Sequence, residues 1–369
     1  MRILHVVHRF NPPCRGGLST YVSRICELQS REHNVEVWTT LEDERPRAVQ
    51  TSRYLIRRFP SALWLTDNPM PVSMFRHMLC TIDKEFDVVV AHSHLMLTSL
   101  IATCRASLSS TPFVLISHGF SVKRGVLFNL LEGAYLSTVS RGILQAADRI
   151  VAMSGVEATR LVSLGIPEDQ IARIHQGVDC GFFKPGRSPR DARLLVWAGR
   201  FVPEKNLDFL VRMFALLRRK IDARLVLAGD GPERNHIRDL SRDLNLADSI
   251  SFPGLLNARE IASLLRQATA FLLPSTNEGV PLILLEAMAS GLPLLVSRGL
   301  GLEEYAGEAA LFLPQNSEDD WVQGCETILR DHGKMLQLGQ TGRSLAIRHN
   351  WESVVQLLQD VLDDVTRKM

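Results

Sequence analysis

A chain of 369 residues with 46% hydrophobic composition exceeds one ordinary core and suits two domains, at about 150 residues each. A net charge of +2 lacks the basic footprint of a dedicated nucleic-acid binder, and no nucleic-acid partner is expected. The cysteines at 14, 26, 80, 104, 180 and 325 form no C-x-x-C pair and no metal-ligand spacing, so they read as reduced thiols in a cytoplasmic protein.

The N-terminal run RILHVV is too short for a signal-peptide core and is read as a first strand. Short apolar runs follow at VEVWT, DVVVAHS, FVLISH and RIVAMS, separated by stretches of helical period, which predicts a βαβ series. The pattern restarts at LLVWAG, ARLVLAG, SISFPG, TAFLLPS and PLLVS, predicting a second parallel α/β unit. The Gly, Pro and charge content of residues 179–193 predicts a linker between a first domain over 1–178 and a second over 194–350. Residues 351–369 alternate apolar and acidic positions at helical spacing and are expected to pack back on the first domain. The most membrane-like run, 280–296, is interrupted by Glu286, Pro281 and Pro293, so no spanning helix is expected.

Strand ends in open parallel sheets face the ligand crevice, so chemistry is sought there. In NEGVPLILLEAMASG, Glu278 lies in a Gly-containing loop and Glu286 in an apolar helix, where an unpaired carboxylate is costly unless a ligand supplies donors. Pro281 suits the first turn of that helix, with the Gly279 and Val280 amides pointing into the same space. Arg200 and Lys205 follow the LLVWAG strand; together they suit a diphosphate, or else Lys205 is a surface cation paired with Glu204 or Asp208. His118 ends FVLISHG and is either a crevice hydrogen-bonding group or a satisfied core histidine. His92 and His94 lie two apart, with no third metal ligand evident. Gly16 and Gly17 form a short glycine turn after the first strand.

The set formed by Gly16-Gly17, SHG at 117–119, WAGRFVPEKN at 197–206, LAGDGPE at 227–233 and Glu278 with Glu286 eight residues on resembles the family-4 retaining glycosyltransferases. The resemblance spans nearly the whole chain. It implies the GT-B fold, two Rossmann-like parallel α/β domains facing an interdomain cleft, with the donor bound by the second domain. It also implies that Arg200 and Lys205 bind the donor diphosphate, that Glu286 accepts from ribose hydroxyls, and that Glu278 with the Gly279 and Val280 amides lies against the donor sugar. His118 would hydrogen-bond that sugar, Gly16 and Gly17 would let backbone approach the phosphate or the acceptor, and Gly229, Asp230 and Gly231 would lie near the nucleotide. Where many members carry Glu-Gly-Phe-Gly, this chain has Glu278-Gly279-Val280-Pro281, and proline removes one backbone donor.

The implied activity is transfer of a hexose from a UDP- or GDP-sugar to a glycan or lipid-linked acceptor in envelope polysaccharide or glycolipid synthesis. The nucleotide sugar is a co-substrate; no cofactor is expected, and with no D-x-D in the sequence no metal is expected either. A nucleotide-sugar-binding subunit and a sugar-nucleotide epimerase are the competing readings. Residues 53–79 mix Arg53, Arg57, Arg58, Arg76 and His77 with Phe59, Trp64, Met70, Met74 and Phe75. That mixture reads either as a face on the inner membrane, extended by Lys123 and Arg124, or as an Arg-rich segment packed on the core.

Overall fold

The computed structural model describes residues 1–10, 16–41, 47–51, 53–61, 63–65, 68–83, 86–119, 135–186 and 193–367. The chain divides into two compact units: Met1–Gln176 together with Trp351–Met369, and Gly177–Asn350.

The first unit holds strands β1 (Arg2–Val6), β2 (Asn34–Leu41), β3 (Ala48–Gln50), β4 (Leu55–Pro60), β7 (Val88–His92), β8 (Phe113–Ile116), β9 (Arg149–Ala152) and β10 (Ile171–Arg173) in one sheet, ordered β10-β9-β8-β7-β1-β2-β4-β3. A separate hairpin pairs β5 (Leu63–Leu65) with β6 (Asn68–Met70). Among the described residues only β3 runs antiparallel in the large sheet. Every residue of β7 is buried, as expected of a central parallel strand covered on both faces. The helices among the described residues are α1 (Gly17–Gln29), α2 (Val72–Cys80), α3 (Leu97–Ser109), α4 (Arg141–Ala146), α5 (Gly155–Ser163) and the C-terminal α13 (Trp351–Arg367). α13 packs on α1; Trp351 meets Tyr21 edge-on at 5.6 Å and Asp364 pairs with Arg149 at 2.7 Å.

The second unit is an all-parallel sheet of β11 (Leu194–Arg200), β12 (Arg224–Asp230), β13 (Ile250–Gly254), β14 (Ala270–Leu273), β15 (Leu294–Ser297) and β16 (Ala310–Leu313), ordered β13-β12-β11-β14-β15-β16. Its helices are α6 (Leu207–Arg218), α7 (Arg234–Asp243), α8 (Ala258–Gln267), α9 (Leu282–Ala289), α10 (Glu303–Ala306), α11 (Glu318–Arg330) and α12 (His332–Arg348). Trp197, Phe201, Phe214, Leu295 and Trp321 belong to one buried cluster. Burying each such side chain is worth roughly 1.5–3 kcal/mol. In both units the order runs outward in opposite directions from the first strand, giving switch points at β1/β7 and β11/β14.

One sequence expectation needs revision. Residues 179–186 are not a free linker: Phe183 is buried, and Arg343 donates to the Phe183 and Cys180 carbonyls at 2.8 and 2.9 Å. Residues 187–192 lie outside the described residues. The described residues of 53–79 divide between the two readings, some packed in the core and Val72, Phe75, Arg76 and Leu79 exposed along α2. Arg57 donates to Glu36 at 2.6 Å, Arg58, Phe59 and Met74 are buried, and His77 packs on Trp38. The side chains of Trp64 and Met70, and all of Lys123 and Arg124, fall outside the described residues. His92 and His94 have separate partners, because Ser93 at φ 72° breaks the strand alternation between them.

Candidate active site

At the β11/β14 switch point, β11 ends at Arg200 and turns through the short helix Pro203–Lys205 into α6. Lys205 Nζ lies 2.5 Å from Glu278 Oε1, and Ser275 Oγ donates to the same oxygen at 2.7 Å. Thr276 N donates to the Glu204 carbonyl at 2.9 Å, so the turn after β11 and the loop after β14 are joined by backbone as well as charge. Lys205 is therefore paired, with neither Glu204 nor Asp208; Asp208 accepts from His236 at 2.8 Å. Arg200 is exposed, and no described residue forms an ion pair with it. This places one free and one restrained cation where the fold concentrates ligand contacts.

Pro281 is the N-cap of α9 rather than its first helical residue, and no side chain caps that end. Gly279 is exposed, and a methyl group built on it would meet nothing within 4 Å. Glu286, one turn into α9, has no ion pair or hydrogen bond from its carboxylate among the described residues. Loss of hydration alone raises its pKa to about 7. Gly229 and Gly231 have a different reason for being glycine. A Cβ at Gly229 would lie 1.8 Å from the Gly199 carbonyl oxygen, and one at Gly231 2.4 Å from that of Phe201. Both positions are required by backbone packing between the ends of β11 and β12. Asp230 accepts from the Gly231 amide at 2.8 Å and lies 4.0 Å from Arg234.

In the first unit, Gly16 (φ 93°) is the N-cap of α1, whose first turn has no side-chain cap among the described residues. His118 follows β8 in the left-handed region, φ 58°, an uncommon conformation for a residue with a side chain. Glu157 fixes this corner: one carboxylate oxygen accepts from the Gly119 amide and the other from the Met153 amide, both at 2.6 Å. His118 Nε2 meets His92 Nδ1 at 3.0 Å, His92 Nε2 meets His5 Nδ1 at 3.0 Å, and His5 Nε2 meets Gln29 Oε1 at 2.9 Å. Burial pushes the pKa of His5 down to about 4 and that of His118 to about 3; His92 falls well below the usual histidine value for the same reason, reinforced by His118, His5 and His8. All three rings are therefore neutral at pH 7.

Residues 182–345 match the family described as glycosyl transferases group 1, and residues 15–182 match Glycosyltransferase Family 4. The chain belongs to the family-4 glycosyltransferases. A GDP-mannose-dependent alpha-(1-6)-phosphatidylinositol monomannoside mannosyltransferase of Mycobacterium tuberculosis is 26% identical over 99% of this chain and 100% of its own. A D-inositol 3-phosphate glycosyltransferase of Kineococcus radiotolerans is 28% identical over 94% of this chain and 90% of its own. Among solved structures, sucrose-phosphate synthase of Thermosynechococcus elongatus aligns with a TM-score of 0.83 at 20% identity, covering 100% of both chains. Anabaena HepE in complex with UDP and glucose aligns at 0.79 and 16% identity, covering 99% of this chain and 100% of its own. These neighbours share the GT-B fold of two Rossmann-like units.

In this glycosyltransferase, Lys205 and Glu278 pair between the turn after β11 and the loop after β14; Arg200 ends β11, Gly279, Val280 and Pro281 follow Glu278 in that loop, and Glu286 lies in α9. Gly229, Asp230 and Gly231 end the adjacent strand β12, and Gly16, Gly17 and His118 belong to the first unit. The sequence reading missed Ser275, Glu157, His5 and Gln29. A signal existed for His5: a polar side chain within an otherwise apolar central strand needs a buried partner.

Proposed function

We propose that this glycosyltransferase moves a hexosyl group from a UDP- or GDP-sugar to a glycan or lipid-linked acceptor, with anomeric configuration retained and without a metal. The observation that carries the reading is the pairing of Lys205 with Glu278, together with Arg200 at the end of β11 in no ion pair among the described residues, at the carboxyl ends of the two strands flanking the switch point. In the proposed reaction the bond between the anomeric carbon and the β-phosphate oxygen breaks, and its electron pair leaves with the phosphate. Arg200 and Lys205 stabilise that charge. The acceptor oxygen bonds to the same face of the anomeric carbon, and its proton passes to the departing phosphate oxygen. Glu286 accepts from the ribose hydroxyls, which supply the donors its apolar helix lacks. Glu278 and the Gly279 and Val280 amides hold the sugar, and His118 is assigned to that sugar. Gly16 and Gly17 are assigned to close backbone approach, and Asp230 to the nucleotide.

The name of the mycobacterial relative makes GDP-mannose the first donor to try. The acceptor is assigned to the first unit and the process to polysaccharide or glycolipid synthesis in the cytoplasm. No helix among the described residues is long and apolar enough to cross a membrane. Peripheral contact with the inner membrane is supported by Val72, Phe75 and Leu79, exposed along α2 beside Arg76. The test is nucleotide release from a panel of GDP- and UDP-sugars in EDTA, with and without a lipid or glycan extract. Extract-dependent release from one donor is expected. Silence across the panel, or release only when divalent metal is restored, would overturn the reading.

A further inference from the structure

The row Gln29–His5–His92–His118 carries a consequence for how His118 meets its ligand. A neutral imidazole donates from one nitrogen and accepts with the other. Hydrogen bonds that run through three neutral rings must therefore all point the same way, and the group at the end of the row selects the direction. Gln29 is that end. It closes α1, is 2% exposed, and presents Oε1 to His5 Nε2. A carbonyl oxygen only accepts, so His5 donates from Nε2 to Gln29, His92 donates from Nε2 to His5, and His118 donates from Nε2 to His92.

We propose that Gln29 is a positioning residue that locks His118 in the Nε2–H tautomer, leaving Nδ1 as an acceptor for a substrate hydroxyl. The lock is built by strand register. His5 pairs across the sheet with Val90, two residues before His92, and His92 pairs with Ile116, two residues before His118. Each histidine thus stands one side-chain step further toward the carboxyl ends of the strands than the one before it. The rings stand 5.3 Å apart at both steps. Among the described residues nothing hydrogen-bonds His118 Nδ1, and Tyr21 packs edge-on against the ring at 5.0 Å, holding its plane. The row does not conduct protons away. A proton relayed from His118 through His92 and His5 would end on a side-chain amide, which is no base at neutral pH, so the row sets a tautomer and stops there.

The test uses the full-length protein with ¹⁵N-labelled histidine, reading the tautomer of each ring from long-range ¹⁵N–¹H correlation spectra at pH 7. Wild type is expected to show Nε2–H at His5, His92 and His118. Gln29→Glu keeps an acceptor and should keep all three. Gln29→Met removes it and should give mixed tautomers along the row. A wild-type Nδ1–H signal at His118, or wild-type tautomers retained in Gln29→Met, would overturn the inference. Should Gln29→Met fail to fold, the wild-type and Gln29→Glu spectra still decide it. The functional consequence rests on the transferase reading. There, kcat in Gln29→Met should fall by between about twofold and tenfold, with donor KM little changed, as the fraction of correctly oriented rows falls; Gln29→Glu should restore it. Wild-type inactivity with the expected tautomers would sink the transferase reading and leave the lock standing. Full activity with the wrong tautomer would do the reverse.

Discussion

Lys205 and Glu278, 73 residues apart in sequence, form one ion pair at 2.5 Å in which the carboxylate is 7% exposed and the ammonium side chain 21% exposed. Removing the cation leaves a half-satisfied buried carboxylate with Ser275 as its remaining side-chain donor among the described residues. Lys205→Ala should cost about 1–3 kcal/mol of unfolding free energy, seen as a lower urea midpoint at unchanged slope. In the proposed reaction it should also lower kcat by roughly 10²–10³-fold, the scale for losing one charge-stabilising donor. Lys205→Met with Glu278→Gln should recover stability but not turnover, and recovery of both would remove Lys205 from the chemistry. Measuring both quantities on each variant separates structural from catalytic loss.

Glu286 gives a pH dependence with a defined sign. Its pKa is raised from an ordinary 4.5 to about 7 by burial alone, so the folded state holds a proton that the unfolded state has released. The stabilisation is complete below pH 4.5 and is lost as pH rises through 7. Its size is at most about 3 kcal/mol at 1.36 kcal/mol per unit, and less because the residue is partly accessible. Glu286→Gln should therefore match wild type near pH 4.5 and exceed it in stability at pH 8, as chemical unfolding at the two pH values will show. Ribose hydroxyls favour the ionised form, so nucleotide binding at pH 7 should release a proton. Calorimetry in buffers of different ionisation enthalpy would detect it, and equal apparent enthalpies would contradict the assignment.

The extent to which this molecule was legible in its sequence follows from where polarity and distance enter. β1, β2, β7, β8, β9, β11, β12, β14 and β15 were visible because strands buried on both faces spell largely apolar runs, and the edge strand β13 because SISFPG is bounded by turn residues. β4 was hidden: its LIRRFP carries two arginines, one answered by Glu36 on β2 and one buried, and a charged residue disguises a strand when its partner is far away in sequence. β16 reads ALFL but is only partly buried at every position, so its apolar run lacked a boundary signal. Arg200, Lys205, Glu278 and Glu286 could be nominated because a charge in an apolar or strand-end context is costly without a purpose. That Lys205 answers Glu278, and that three histidines align, depends on loop geometry and strand register, which no local pattern encodes.

The glycines divide by a test the fold supplies. Gly229→Ala drives a methyl group to within 1.8 Å of the Gly199 carbonyl oxygen at φ 132°, a conformation side chains rarely adopt. It should destabilise the second unit by more than about 3 kcal/mol, the upper range for point substitutions. Gly279→Ala has open space and no strained φ, so thermal stability should stay within about 0.5 kcal/mol of wild type. If the Gly279 amide approaches a sugar as proposed, the methyl group should instead raise donor KM. Equal stability losses in the two variants would show that Gly279 is there for the fold.

Arg200 offers the cleanest separation of function from stability. It ends β11 in register with Asp230, is exposed, and is held by no ion pair among the described residues, whereas Asp230 is engaged by the Gly231 amide and lies near Arg234. A solvated guanidinium of this kind contributes little to folding, and Arg200→Ala should change unfolding free energy by no more than about 0.5 kcal/mol. A diphosphate would convert the same side chain into a bidentate partner, and leaving-group charge is where such a fork acts most strongly. Arg200→Ala should then lower kcat/KM for the nucleotide sugar by about 10²-fold or more. Arg200→Lys should recover only part of this, because a point charge replaces a planar fork. Full recovery by lysine would mean that charge alone suffices, and an unchanged kcat/KM in Arg200→Ala would place the diphosphate elsewhere.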